Sequence, residues 1–445
     1  MATLSDAQLT QIAQKIFVMG DPAKTKLPKP TMSGPPAFKA ALDPIATQVD
    51  FKDAGIGVID FTLDAKNPNI WLHNEDKPFR IGSASKIAMM LAAVQLRLDV
   101  RRIMDLKLIS TAADFDALFR NRKLWKKAKP PQDQMQAIAD ADSVPLISKI
   151  FDFTKDPVDF MGPDADGRTD PAVQLGIVSR LPADQELPWE KWTDFTFSER
   201  LWLTGCLSDN VAATSCVSEI GVPYIKAVQR AYGLADRPHG MHLFASSGYD
   251  TIPASTTPPA SPPPRRLTGV EPIPVLDFWK DSKGTFTDQK SWVPGSAAAL
   301  TAYMIALMTN TLGDDPAGDP VITLLDRTQA CDTIRNNLAD GGVHAIESFL
   351  VEDGVKSVPH TTVMRQINKI GILKRSDGAK APLVCEFVYV ETKQVPAPPP
   401  PQREVMKYAV IAVGLIDDTS TPAGHNAAVK SSALGAAVHK ALLTL

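Results

Sequence analysis

The chain has 445 residues, of which 44% are hydrophobic, and it carries a formal net charge of −3. That length is enough to bury a large core in two or three structural units. Lys and Arg are scattered along the chain, and no basic stripe interleaved with aromatic residues occurs. The composition therefore argues against nucleic acid and anionic membrane surfaces as partners.

The four cysteines are too few for a disulfide framework in a chain of this length. None forms a CxxC pair or stands at zinc-ligand spacing from a histidine, so we expect no metal site. No run of about 20 apolar residues predicts a membrane span. The N-terminal segment lacks a basic stretch followed by an apolar one, which a signal peptide would have. It indicates a cytoplasmic protein, unless a trimmed export signal made it periplasmic.

The first hundred residues predict a short helix-and-strand unit. Residues 4–18 read as a helix, and a Pro-rich connector at 21–36 leads to a second short helix. Two apolar stretches, GIGVIDFTL and NIWLHN, are separated by DAKNP and predict a β-hairpin. A third helix is predicted from Ser83 to about Val100, because its apolar residues recur at helical spacing.

The rest of the chain is helical first and strand-rich later. Helical pieces fill 101–234, a Pro-rich loop follows at 252–274, and PGSAAALTAYMIALMTNTL predicts another helix. Three strand-like runs, MRQINKIGIL, LVCEFVYVE and YAVIAVGL, precede a final helix. This order predicts an α/β (α+β) fold: an antiparallel sheet built from both chain ends, with helices on its faces and an inserted, mainly helical region.

These elements divide the chain into three parts. The expected parts are N-terminal helices and a Pro-rich connector at 1–48, a sheet-containing α/β part at 49–82 and 356–445, and a mainly helical part at 83–355 with insertions near 101–200 and 250–290.

Three short motifs occur in a definite order: Ser83-Ala84-Ser85-Lys86, Ser208-Asp209-Asn210 and Lys369-Ile370-Gly371. The first opens a helix, the second precedes one, and the third lies in a strand-like run. Residues three apart on a helix share a face, so Lys86 is expected beside Ser83. A lysine kept partly neutral by burial or by neighbouring charge can take the proton of a serine hydroxyl.

Together the motifs resemble the S-x-x-K, S-D-N and K-T-G set of class A β-lactamases and related penicillin-binding proteins. The surrounding stretches FRIGSASKIAMMLAAVQ, LWLTGCLSDNVAAT and INKIGILKR are similar to that superfamily as well. The resemblance implies a β-lactamase-like fold and an acyl-enzyme mechanism without a cofactor or metal.

The resemblance also implies a role for each motif residue. Ser83 is the expected nucleophile, Lys86 its base and Ser208 a proton relay. Asn210 is expected to hold the substrate amide, and Lys369 to supply positive charge for Ser208 and the substrate carboxylate. Gly371 and Ile372 are expected to bind substrate, with the backbone N–H of Ile372 as the second oxyanion donor.

Two departures from the family pattern bear on activity. Ile370 replaces the hydroxyl residue of K-T-G, which helps bind a substrate carboxylate. The region after S-D-N, GLADRPHGMHLFASSGYDT, contains no glutamate to activate the deacylating water. Substitute bases there would be Asp236, His239, His242 or Asp250. We therefore expect weak or absent β-lactam hydrolysis.

The leading hypothesis is a serine acyl hydrolase or acyl transferase that acts on a small-molecule or peptide-derived amide or ester. The alternative is a degenerate member of the fold that serves as a binding module. Cys206, two residues before Ser208, is interpreted as a small buried hydrophobe.

Overall fold

The structure is a computed structural model. It describes residues 4–20, 25–77, 79–127, 144–162, 171–180, 194–234, 294–313, 323–339, 348–373, 383–395, 403–416 and 426–445. The Pro-rich stretch at 252–274 lies outside these ranges, as do Asp236, His239, His242 and Asp250.

The described strands are β1 (Gly55–Asp60), β2 (Asn69–His73), β3 (Phe79–Arg80), β4 (Phe151–Asp152), β5 (Asp159–Phe160), β6 (Pro294–Gly295), β7 (Thr361–Leu373), β8 (Leu383–Gln394) and β9 (Val405–Ile416). Five of them form one sheet in the order β2-β1-β9-β8-β7, with all neighbours antiparallel. Its first two strands come from the N-terminal part of the chain and the other three from the C-terminal part. The predicted antiparallel sheet from both chain ends is therefore confirmed.

The described α-helices are α1 (Asp6–Ala13), α2 (Pro36–Ala46), α3 (Lys86–Asp105), α4 (Ala112–Phe119), α5 (Arg122–Trp125), α6 (Ile147–Ile150), α7 (Pro171–Val178), α8 (Phe197–Cys206), α9 (Asn210–Ile220), α10 (Val222–Ala231), α11 (Ala297–Met308), α12 (Leu324–Leu338) and α13 (Ala427–Leu443). Within the described ranges, none of the helices is long and apolar enough to cross a bilayer.

Both faces of the sheet are buried. Along β9, Ile411 and Val413 point into a core shared with α3 and other helices of the middle of the chain. Val410 and Ala412 point into a second core with α2 and α13. Successive side chains of a strand alternate between faces, so a strand covered on both sides reads as one continuous apolar run. This explains the unbroken YAVIAVGL.

Helix α3 lies at the centre of the first core and is buried nearly all round. Two of its arginines, Arg97 and Arg101, reach partners on other elements. Arg97 Nη1 lies 2.7 Å from Asp159 Oδ1 on β5, and Arg101 Nη1 lies 3.0 Å from Asp326 Oδ1 on α12. These ion pairs join α3 to its neighbours. Because the turn that carries Ser83 is continuous with the N-terminus of α3, they also help to hold that turn in place.

Two predicted helices begin or end elsewhere. The N-terminal helix, expected over 4–18, ends at Ala13, and a 3₁₀ turn follows at Phe17–Met19. The helix expected to start at Ser83 begins at Lys86, because residues Gly82–Ser85 form a 3₁₀ turn. The pairings of β3 with β6 and of β4 with β5 were not predicted, since strands of two residues carry no periodicity.

Candidate functional site

The turn that carries Ser83 is a 3₁₀ turn at the N-terminus of α3. Gly82 adopts φ 50°, a left-handed conformation that favours glycine. The Lys86 N–H donates to the Ser83 carbonyl, and the buried Ser85 Oγ donates to Gly82 O at 2.8 Å. Side chains at i and i+3 eclipse in this kind of helix, so Ser83 and Lys86 lie on one side of the turn. Ser83 itself is half-buried.

Lys86 is 1% exposed, and the loop between α8 and α9 holds its amine. Its Nζ donates to the backbone oxygen of Ser208, to Ser208 Oγ at 3.3 Å and to Asp209 O at 3.3 Å. The first and second motifs therefore meet at the amine of Lys86. Ser208 Oγ is within reach of the lysine, as a proton relay would require.

Ser208 is held in an unusual backbone conformation. Its φ of 55° lies in the left-handed region, which costs a non-glycine residue of order 1–3 kcal/mol and is found at functional sites. The next residue fixes the turn: the Asp209 N–H donates to Leu203 O at 3.1 Å, and its Oδ1 accepts from Ala212 N at 2.7 Å as the N-cap of α9. The S-D-N turn thus directs two carbonyls and a hydroxyl at Lys86.

A second buried lysine completes the charged part of the site. Lys369 on β7 is 2% exposed, and burial lowers its pKa to about 7. The pKa of Lys86 is well below its ordinary value, first because the amine is buried and second because Lys369 is positively charged. Asp209 opposes that decrease only in part. A cation next to a buried amine favours the neutral form of that amine.

Strand β7 runs directly along the Ser83 turn. A Cβ built at Gly371 would lie 2.0 Å from Ile81 O and 3.2 Å from Ala84 N, so only glycine allows this approach. Ile372, the next residue, is 47% exposed on the outer strand of the sheet. The third motif therefore meets the first through backbone contact.

Ile370 does not face the lysines. It is 3% exposed and packs in the second core with Val351 and Val355, and its partner across the strand ladder is Glu386. The reason is alternation along β7, which sends Lys369 and Gly371 to the helical side and Ile370 to the side of α13.

The structure therefore brings Ser83, Lys86, Ser208, Lys369 and Gly371 together. Asn210 starts helix α9, but its side chain lies outside the described part, as do the four candidate water-activating residues named above. Ile372 follows Gly371 at the open edge.

Sequence reasoning missed one residue that shapes this region, Glu386, and it named Asp209 only as part of the S-D-N motif. Asp209 caps α9, a role indicated by an Asp before an apolar helical run. Glu386 is a fully buried carboxyl inside the otherwise apolar run LVCEFVYVE, and an acid in such a run indicates an internal polar contact. Cys206 is buried as interpreted, and its thiol is near enough to Lys369 to influence the pKa of that lysine.

Residues 170–371 match the model of the beta-lactamase enzyme family. No curated protein matches the sequence.

Several solved structures of β-lactamases are similar to this chain. The β-lactamase of Sphaerobacter thermophilus is 14% identical, with 91% of this chain and 94% of that chain covered and a TM-score of 0.37. The TLA-1 extended-spectrum β-lactamase is 11% identical, with coverages of 93% and 99% and a TM-score of 0.40. A class A β-lactamase reconstructed for the last common ancestor of Gram-negative bacteria is 13% identical, with coverages of 90% and 97% and a TM-score of 0.37.

The matched segment contains the S-D-N and K-x-G motifs, and the S-x-x-K turn precedes it in the chain. The sheet assembled from both chain ends brings that turn against β7. The match over residues 170–371 assigns that segment of the chain to the beta-lactamase enzyme family.

Proposed function

We propose that this protein is a serine acyl hydrolase or acyl transferase that forms an acyl-enzyme on Ser83. One observation carries the proposal: a fully buried Lys86, three residues from Ser83, is hydrogen-bonded to Ser208 and has a lowered pKa. A lysine that is neutral near pH 7 can act as a general base, whereas an ordinary lysine with a pKa of about 10.4 cannot.

The acylation step follows from the roles of these groups. Ser83 Oγ attacks the carbonyl carbon of an amide or ester, and its proton passes to the neutral amine of Lys86. The oxyanion that forms accepts hydrogen bonds from the backbone N–H groups of Ser83 and Ile372. The carbon–leaving-group bond then breaks, and the leaving group departs with the bonding electron pair. Lys86 returns the proton to it through Ser208 Oγ, which is 3.3 Å from Lys86 Nζ.

Lys369 and Asn210 have supporting roles in this proposal. Lys369 helps to keep Lys86 neutral through its positive charge, because protonating Lys86 would place two cations side by side. Asn210, at the first position of α9, holds the substrate amide. The substrate is a small-molecule or peptide-derived amide or ester.

Deacylation is expected to be slow for β-lactams. The stretch after S-D-N contains no glutamate that would activate water in the way the class A pattern requires. We expect steady-state hydrolysis of nitrocefin and benzylpenicillin to be weak or absent. Turnover at the rate of a dedicated β-lactamase would contradict this and would direct attention to Asp236, His239, His242 and Asp250.

Intact-mass spectrometry after exposure to a panel of β-lactams and activated esters tests the proposal. The expected result is a single adduct that peptide mapping assigns to Ser83 rather than to the neighbouring Ser85, and that a Ser83→Ala variant does not form. Ser85 is the natural internal comparison, because its hydroxyl is buried and hydrogen-bonded to Gly82 O. An adduct retained in the Ser83→Ala variant would overturn the proposal.

A non-catalytic binding module is the second candidate, because the K-x-G motif lacks a hydroxyl and the class A glutamate is missing. The buried lysines weigh against it. Two neighbouring buried cations, each with a lowered pKa, cost folding free energy that a pure binding module has no need to spend. Failure of every probe to label Ser83 in a folded protein would favour the binding module.

A further inference from the structure

A small apolar cluster, distinct from the first and second cores, surrounds the S-D-N turn. Its buried members are Ile177, Phe195, Trp202, Leu203, Cys206 and Ala212, and Val173, Val178, Leu207 and Val211 pack against them. This S-D-N cluster contains the two residues before Ser208 and the two residues after Asn210. It also contains Leu203, whose carbonyl oxygen accepts a hydrogen bond from the Asp209 N–H at 3.1 Å. Apolar packing therefore holds the motif on both of its flanks.

Helix α7 adds to this cluster from a distant part of the chain. Its Ile177 is 1% exposed within the cluster, and Val173, about one helical turn earlier, is half-buried against it. Leu175 and Gly176 lie on the other side of α7. Leu175 is 56% exposed, and a Cβ built at Gly176 would meet no atom of another element within 4 Å. One face of α7 is therefore packed against the residues that flank S-D-N.

An ion pair joins the end of α7 to the start of α8. Arg180, two residues beyond α7, pairs with the buried carboxylate of Glu199, and its Cζ lies 4.6 Å from the centre of the Phe195 ring. Glu199 also accepts from the backbone N–H of Thr196 at 2.8 Å, in the capping box that begins α8. Because Phe195 belongs to the S-D-N cluster, the anchor of α7 is continuous with the packing around the turn.

The S-D-N turn needs support of this kind. Ser208 has a φ of 55°, and a strained conformation persists only when the surrounding structure imposes it. The Lys86 amine depends on the same turn, because it is buried there and donates to the carbonyl oxygens of Ser208 and Asp209. A shift of the turn would therefore move Ser208 Oγ and admit water to Lys86.

We propose that Ile177 is a positioning residue for the acylation of Ser83, because its packing keeps the S-D-N turn against the amine of Lys86. The inference rests on the proposed function and adds a residue from the expected insertion near 101–200. Shortening Ile177 leaves a cavity beside a strained turn, and the turn relaxes into it. Water then reaches Lys86.

Hydration of Lys86 changes the pH at which acylation occurs. Burial is the largest cause of the lowered pKa of this amine, so water beside it raises that pKa. Lys369 on β7 and Asp209 on the turn also act on the amine, the first lowering its pKa and the second raising it. Because the base must be neutral, a higher pKa moves the pH profile of acylation to higher pH.

The pH profile tests this role, because a residue needed only for stability would not move it. The full chain is acylated with the para-nitrophenyl ester of phenylacetic acid, and release of the phenol and intact mass follow labelling of Ser83. In Ile177→Ala we expect acylation at pH 7 to be slower by about tenfold or more, with the midpoint of the profile at higher pH. Ile177→Val, which removes one methylene group, should change both in the same direction by less.

Two control variants separate positioning from a general loss of packing. Ile45→Ala removes the same atoms from α2 in the second core, where Ile45 is 3% exposed. It should lower the melting temperature without changing the rate or the pH profile of acylation. Leu175→Ala, on the exposed side of α7, should keep the wild-type rate, profile and melting temperature.

The outcomes separate this inference from the proposed function. A lowered melting temperature in Ile177→Ala with the wild-type rate and profile would overturn the inference and leave the acylation mechanism standing, as would an equal change of the profile in Ile45→Ala. If circular dichroism shows that Ile177→Ala does not fold, Ile177→Val decides in the same way. Failure of the ester to label Ser83 in the folded wild type would overturn the proposed function and the inference with it.

Discussion

The two faces of the central sheet differ in what surrounds their buried ionisable groups. On the helical side, Lys86 and Lys369 lie close enough for the charge of one to lower the pKa of the other. On the side of α13, Glu386 accepts hydrogen bonds from neutral donors, which are the Ser348 and Ser431 hydroxyls and the backbone N–H groups of Phe349 and Leu350. His439 on that side bonds through Nδ1 to the Tyr408 hydroxyl at 2.8 Å and through Nε2 to Thr361 Oγ1 at 3.0 Å.

The difference separates groups kept for stability from groups kept for chemistry. A buried polar group that is fully hydrogen-bonded rigidifies its surroundings. Neighbouring buried lysines instead repel each other, and the S-D-N turn that receives one of them contains Ser208 in a left-handed conformation. Perturbed pKa values and backbone strain are found together at functional sites. Variants on the helical side should therefore change the rate of acylation, whereas variants on the side of α13 should change only the free energy of unfolding.

The largest expected effect is on acylation when Ser83 or Lys86 is replaced. Ser83→Ala should abolish adduct formation, and Lys86→Met should slow it by about 10²–10⁴, the range typical of removing a general base. The double variant should lose little more than the worse single one, because the two residues act as one unit. Pre-steady-state release of a chromogenic phenol measures all three.

Lys430 supplies the matched control on the other face. It is a largely buried lysine on α13, with Nζ 3.6 Å from Asp50 Oδ1. Lys430→Met should leave acylation at the wild-type rate. Full reactivity of Lys86→Met, or equal losses in the two lysine variants, would contradict the division between the faces.

The next effect compares two glycines in matched positions. A Cβ at Gly371 would lie 2.0 Å from Ile81 O, and one at Gly435 would lie 2.0 Å from Leu350 O. Either alanine variant must push backbone apart, and we expect each to lower the free energy of unfolding by about 1–3 kcal/mol. Only Gly371→Ala should also slow acylation by about tenfold or more, because it displaces the Ser83 turn.

Urea unfolding and ester acylation measured on the same preparations test this pair. If Gly435→Ala slowed acylation as much as Gly371→Ala, the loss would come from general loosening of the sheet rather than from the Ser83 turn.

Much of this arrangement could be predicted from the sequence. The strand-like runs near both ends of the chain predicted the sheet, and the three ordered motifs predicted the candidate site. Periodicity did not show that Ser83 sits in a 3₁₀ turn, because four residues are too few to distinguish one helix type from another.

The environment of residues 370 and 386 was also beyond sequence reasoning. A β-strand alternates faces, but which face meets the helical region depends on the register with β8 and on contact with the Ser83 turn. For that reason the sequence allowed Ile370 to be interpreted only as the loss of the K-T-G hydroxyl from the substrate site. The partners of Glu386 come from residues 348 and 431, far away in the chain, so its burial could be suspected but not explained.

A smaller effect should follow from Lys369→Met. Without that charge the pKa of Lys86 rises, so acylation should require higher pH, and its pH profile should shift in the alkaline direction. The folded-state pKa of Lys369, about 7, is below the unfolded value of about 10.5. Burial of Lys369 therefore lowers the free energy of unfolding of the wild type most at or below pH 7. This destabilisation becomes smaller as the pH rises towards 10.5.

The methionine variant should accordingly have the higher melting temperature, with the largest difference near pH 6–7 and a smaller one near pH 9.5. Thermal unfolding at the two pH values measures this. A lower melting temperature for Lys369→Met near pH 7 would mean that the ammonium stabilises the fold. It would contradict the view that the buried lysines on the helical side destabilise the protein.

The smallest expected effect concerns Glu386 and appears only in stability. Burial raises its pKa to about 7, against the hydrogen bonds from Ser348 and Ser431, which lower it. Between pH 4.5 and 7 the folded protein thus holds a proton that the unfolded chain has released, so this group makes the free energy of unfolding decrease as the pH rises through that range.

Glu386→Gln stays neutral and should remove this part of the decrease, on the order of 1–3 kcal/mol between pH 5 and pH 8. Asp99, with a pKa raised to about 6 by burial, contributes a decrease of the same sign that should remain in the variant. Urea unfolding at the two pH values measures the slope, and Glu404→Gln, at a largely exposed carboxyl, should keep the wild-type slope. Parallel slopes for wild type and Glu386→Gln would show that the carboxyl is already ionised and well stabilised at pH 5.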